Sequence, residues 1–209
     1  MTFPALLPRI IIVSGPSGSG KSTLVQKLRD LPGLMFSVSY TTRPRRGTES
    51  PGKWYDFITE AEFQQKIARD EFLEYAQVFG KHWYGTPRKQ VEEARAQRLD
   101  LVLEIDVQGA RQVKAKLPEA IAIFIVPPSS EDLERRLRER GQDSDEAIAR
   151  RLERARQEMT RSCEYDFVVV NDDLERASSE VRAIVVAARC RRRDNDERLR
   201  KILDTFGGS

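Results

Sequence analysis

The sequence predicts an α/β protein in which a parallel sheet is flanked by helices and interrupted by a strand-rich insertion. Three observations carry that expectation. Short β-branched runs recur along the chain next to helical patterns, the alternation that builds parallel sheets. A glycine-rich loop closes the first run and opens a helix. Between about Phe36 and Arg88 the alternation gives way to short aromatic-rich strands around a turn rich in Pro, Arg and Gly.

Taken in order, the buried-strand candidates are Arg9–Ser14, Leu101–Asp106, Ala120–Val126 and Asp166–Val170. Each is a short continuous apolar run of the kind found in strands covered on both faces. Inside the insertion the expected strands are Phe36–Tyr40, Trp54–Ile58 and Phe72–Phe79. Thr59 and Glu62 have capping-box spacing and start a helix to about Asp70, and Thr86-Pro87 is expected to cap the helix that leaves the insertion. Ser130 is expected to cap a helix ending near Gly141, with a second from about Ser144 to Arg161, both rich in arginine.

Composition narrows the function classes. A chain of 209 residues with 39% hydrophobic and 33% charged residues suits one folded unit and excludes wholesale disorder. The 36 basic and 33 acidic residues nearly balance, so a nucleic-acid surface is not required. The arginines of the tail Arg189–Lys201 are interleaved with Asp194, Asp196 and Glu197, which reads as a solvated terminal helix. Cys163 and Cys190 form no C-x-x-C pair, which argues against a cysteine zinc site or a disulfide framework. Neither a secretory leader nor a run of 18 apolar residues is expected, making the cytoplasm the default location and a membrane no partner.

Gly15-Pro16-Ser17-Gly18-Ser19-Gly20-Lys21-Ser22, followed by Thr23, fits G-x-x-x-x-G-K-[ST] between a strand and a helix, the arrangement of P-loop NTPases. Glycines let backbone N–H groups wrap phosphates, Lys21 reaches the β/γ-phosphates, and the Ser22 hydroxyl is the candidate Mg²⁺ ligand. The motif implies a nucleoside triphosphate and leaves the acceptor open. His82 stands alone beside Trp83 and reads as a packed or surface residue. Two arginine clusters could gather anions: the turn 41–49, and the segment 134–141 with Arg150-Arg151 beyond it.

The chain resembles the guanylate kinase family across nearly its whole length. Beyond the loop, the matching residues are Ser39 with Thr41-Thr42-Arg43, Tyr55 and Phe57, Phe72-Leu73-Glu74, Tyr84-Gly85-Thr86, Ile105-Asp106 with Gln108-Gly109, Arg136 with Arg140-Gly141, and Asn171. The resemblance implies a core at about 1–35, 89–127 and 162–209, a GMP-binding lobe at about 36–88, and a helical lid at about 128–161. It implies that ATP and GMP are the substrates. Arg43, Arg46, Tyr55 and Tyr84 would hold the acceptor phosphate, with Glu49 among the GMP contacts; Ser39, Glu74, Thr86 and Asp106 would read guanine. Arg136, Arg140 and Arg151 would close on the transferring phosphoryl group with Lys21 and Arg43, and Asn171 would touch adenine.

Three departures from the family pattern stand out. Pro44 and Gly47 each come one place early; an additional residue lies between Gly80 and Tyr84; and Glu104 replaces the usual aspartate. The extra methylene moves that carboxylate by about 1.5 Å. Two rival functions share these features: a guanylate-kinase-like binding module without catalysis, and a kinase for AMP or UMP on the same core. The retained Lys21, Ser22, Arg43, Arg140 and Arg151 argue against the module.

Overall fold

A computed structural model describes residues 8–45, 47, 49–78, 80–139, 144–191 and 196–207. The chain opens on β1 (Ile10–Ser14), then α1 (Lys21–Lys27) and a 3-10 turn at Leu28–Asp30. β2 (Leu34–Phe36), β3 (Ser39–Thr41), β4 (Tyr55–Phe57), α2 (Glu60–Ala68), β5 (Phe72–Val78), β6 (His82–Pro87) and α3 (Lys89–Gln97) follow. β7 (Asp100–Glu104), α4 (Val107–Lys116), β8 (Ile121–Val126), α5 (Ser130–Glu139) and α6 (Asp145–Met159) come next. The chain continues into β9 (Phe167–Val170), α7 (Leu174–Ala188) and α8 (Asp196–Asp204).

Five strands form a parallel sheet in the order β2-β7-β1-β8-β9. Successive side chains point to opposite faces. Ile11, Val13, Val102, Ile123 and Ile125 meet Leu24 and Val25 of α1 and Val181 and Val185 of α7. Ile10, Ile12, Leu101, Leu103 and Ala122 meet Val91 and Ala94 of α3 and Ala110 and Val113 of α4. Burial of each large aliphatic side chain contributes about 1.5–3 kcal/mol, so strands covered on both faces read as unbroken apolar runs. With β1 between β7 and β8, the loops after these strands share one edge, where α/β sheets bind ligands.

A second sheet has the order β4-β3-β6-β5. Here the structure corrects several expectations. The single strand at Phe36–Tyr40 is two: β2 ends in the first sheet, where Ser37 N–H still donates to Val102 O, and β3 begins in the second, where Ser39 N–H donates to Trp54 O. Between them the side chain of Gln90 pairs with both backbone groups of Val38, accepting from its N–H at 3.0 Å and donating to its carbonyl at 2.7 Å. Thr86-Pro87 caps no helix. It ends β6, which pairs antiparallel with β5, and Arg88 precedes α3 without a side-chain cap. Thr59 and Glu62 do form the capping box of α2, and α2 presses Phe63 onto Phe72, with ring centroids 4.5 Å apart.

α5 and α6 share a small core of Leu133, Leu137, Ile148 and Ala155. The cap of α5 is Ser129 rather than Ser130: its hydroxyl accepts from Asp132 N–H at 3.1 Å. Ser144 caps α6 as expected. Among the described residues no helix is long and apolar enough to cross a membrane.

Candidate active site

The glycine-rich loop leaves the buried end of β1 and turns at Gly20, whose φ of 92° is left-handed. Glycine is required there twice over, because a Cβ would lie 2.1 Å from Asn171 Nδ2. The Asn171 amide, buried after β9, donates to Ser19 O at 2.7 Å, and Arg136 of α5 donates to Ser19 O and to Asn171 O. Asn171 and Arg136, expected at the adenine and at the phosphoryl group, thus both reach the Ser19 carbonyl of the loop. Lys21 folds back across it, donating to Gly15 O at 2.7 Å and Pro16 O at 2.9 Å. Ser22 donates to Glu104 at the end of β7, at 2.5 Å. The longer Glu104 side chain thus reaches the first turn of α1.

Across the cleft, the second sheet aligns Ser39 of β3, Glu74 of β5, and Tyr84 and Thr86 of β6. Thr86 donates its N–H and hydroxyl to Glu74, and its hydroxyl stands 3.4 Å from that of Ser39. Glu74 is only 4% exposed. Burial pushes its carboxyl up to about 7 against the opposing hydrogen bonds from Thr86, and the charge of Asp106 pushes the same way. Asp106 caps α4 by accepting from Gly109 N–H at 2.9 Å.

Deeper on the same side, Arg43 forms a bidentate pair with Glu49, both N···O distances being 2.8 Å, and donates to Tyr84 Oη at 3.2 Å. The Glu49 hydrogen bonds raise the Arg43 pKa, so the guanidinium stays charged. Tyr55 packs edge-on against Tyr84 beneath that guanidinium, and burial drives its phenol upward, keeping it a donor. Arg46 and Arg140 lie outside the described residues.

One cavity of about 270 Å³ joins the two sides: Gly15, Lys21 and Ser22 face Ser39, Glu74 and Tyr84 across it, with Asp106 and Arg151 on its wall. A second, of about 360 Å³, continues past Tyr55 to Arg43 and Glu49. Two wall residues escaped the sequence reading, Arg154 and Glu158 of α6. Their only signal is helical spacing, since positions 151, 154 and 158 fall on one face.

The family model for guanylate kinase matches residues 7–188. The chain belongs to the guanylate kinase family. It is 52% identical over 185 residues to the guanylate kinase of Myxococcus xanthus, covering 88% of each chain. It is 48% identical over 200 residues to that of Methylococcus capsulatus, covering 95% of this chain and 98% of the relative. The crystal structure of guanylate kinase from Anaplasma phagocytophilum superposes with a TM-score of 0.72 at 32% identity, covering 88% of each chain. Membership in the guanylate kinase family makes the chain a nucleotide-binding kinase, a transferase built on a parallel sheet flanked by helices.

Proposed function

We propose that the chain transfers the terminal phosphoryl group of ATP to GMP, giving ADP and GDP. The observation that carries this reading is the shared cavity in which the phosphate loop faces the buried carboxylate of Glu74 and the hydroxyls of Ser39 and Tyr84. Guanine presents N1–H and a 2-amino group side by side, two donors that one carboxylate accepts together. Glu74 is assigned that task, with Asp106 beside it, the Ser39 hydroxyl toward the O6/N7 edge, and Thr86 holding the carboxylate in place by donating to it.

Arg43, Tyr55 and Tyr84, joined by Arg46, hold the acceptor phosphate, and Glu49 orients Arg43. The acceptor needs no strong base, because its second pKa is about 6 and it is largely a dianion at neutral pH. What transfer requires is preorganised positive charge between two anions. The loop N–H groups and Lys21 supply it on the donor side. Arg151 supplies it from α6 and Arg140 from beyond α5, while Arg136 holds the loop that Lys21 crosses. Residues 36–88 serve as the acceptor lobe and 128–161 as the lid, on a core of 1–35, 89–127 and 162–209.

The hydroxyl of Ser22 and the carboxylate of Glu104 are hard oxygen donors brought side by side by a hydrogen bond, and once that bond is exchanged they would suit Mg²⁺ completed by substrate phosphates and water. Bound there, Mg²⁺ would neutralise charge on the β- and γ-phosphates. The exposed, unbridged thiols of Cys163 and Cys190 accord with a reducing cytoplasm.

A coupled assay of ADP release with GMP, AMP and UMP, run with Mg²⁺ and with a chelator, tests the proposal. GMP is expected to be preferred by at least about 10²-fold, since a buried polar site rejects a substrate that leaves it unpaired. Equal turnover of AMP or UMP would overturn it.

A further inference from the structure

We propose, on the reading of this cleft as a GMP kinase site, that Arg154 is a positioning residue which ties α6 to the guanine-reading Asp106 and so sets where Arg151 stands. Arg154 Nη2 donates to Asp106 Oδ2 at 3.2 Å, and its Nε donates to Glu158 Oε1 at 2.8 Å. Asp106 has its other oxygen committed to the N–H of Gly109. Gly109 is itself pressed on the base pocket, because a Cβ there would lie 2.4 Å from Glu74 Oε2. A continuous series of contacts therefore runs from α6 through Asp106 and the first turn of α4 to Glu74.

The series also extends toward the donor side. Arg151 lies one helical turn before Arg154, on the same face of α6 and on the same cavity wall. Glu158 is buried, and burial raises its pKa above the ordinary carboxylate value, opposed by its hydrogen bond to Arg154 and the charges of Arg154 and Lys21. An ordinary i,i+4 pair on a solvated helix would contribute little. Here one partner of that pair is 9% exposed, and the second partner is 48 residues away on another element.

The test is a double-mutant cycle on the full chain with GMP as acceptor: Arg154→Ala, Asp106→Asn and the double variant. Arg154→Ala is expected to lower kcat and kcat/KM for GMP by about tenfold or more, with KM for ATP changed less than about twofold. Arg154→Lys should recover part of the loss. The double variant should be no worse than Asp106→Asn alone, within about twofold, because Arg154 acts through Asp106. Losses that multiply in the double variant would overturn the proposal. So would an Arg154→Ala chain within about twofold of wild type, or one that raises KM for both substrates in step with a lowered Tm. If Arg154→Ala fails to fold, Arg154→Gln, which keeps a donor for Glu158, enters the same cycle. A wild-type chain inactive on GMP overturns the functional reading beneath it, whereas an active wild type with multiplying losses overturns this proposal alone.

Discussion

Both donors of Thr86 converge on one oxygen of Glu74, the N–H at 2.9 Å and the hydroxyl at 2.6 Å. Gly109 lies beside the other oxygen, leaving no room there for a side chain of its own.

Glu74 must be ionised to accept two donors from guanine, and its pKa is raised to about 7, first by burial. The kcat/KM for GMP, which reports the free enzyme, should therefore fall as pH drops through about 7. Glu74→Gln should lower kcat/KM by roughly 10²-fold, the worth of a charge-assisted hydrogen bond, and narrow the GMP-to-AMP ratio. Its remaining acid limb should be that of the substrate phosphate, near about 6. A pH–rate profile of both proteins with both nucleotides decides.

The same shift acts oppositely on stability. Between the ordinary value of 4.5 and about 7 the folded chain holds a proton on Glu74 that the unfolded chain has released. Stability from this group is thus present at low pH and lost as pH rises through that window. Glu74→Gln removes the loss, so its Tm should exceed that of wild type by roughly 7–14 °C at pH 8 and match it at pH 4. Thermal unfolding at the two pH values checks the sign.

Asn171 fills the space that a side chain on residue 20 would need. Asn171→Ala should loosen the Ser19 carbonyl and raise KM for ATP by about tenfold, leaving KM for GMP within about twofold. Steady-state kinetics with each substrate varied separates the two.

Glu104 accepts from Ser22 despite its extra methylene. Glu104→Gln removes a charge from the oxygen pair assigned to Mg²⁺, and the Mg²⁺ concentration for half-maximal activity should rise by roughly 10-fold or more. Titrating Mg²⁺ at fixed ATP measures it.

The parallel sheet and the phosphate loop were legible because their causes are local: β-branched runs such as 10–14 and 121–126, and glycines at fixed spacing before Lys21. Glu74, Ser39 and Thr86 were legible through family resemblance, and the structure brings them within hydrogen-bonding distance. What escaped is set by distant partners. The break between β2 and β3 depends on Gln90, 52 residues on from Val38. β6 was obscured because Thr86-Pro87 resembles a helix start, and only pairing with β5 resolves it. Arg154 was one arginine among many in α6 until Asp106, 48 residues earlier, gave it a partner.

Gln90 has a mechanical consequence. Its amide serves Val38 on both sides as a neighbouring strand would, at the one place where the chain enters the second sheet, and it sits in the first turn of α3, where the chain returns. Entry and exit are stapled together within a few residues. The second sheet is thus fastened to the core at two places, this staple and α4, where Gln112 pairs with both backbone groups of Tyr75 and Lys116 donates to Leu73 O, so any swing of Glu74 and Tyr84 toward Lys21 must carry α4 with it or break those bonds.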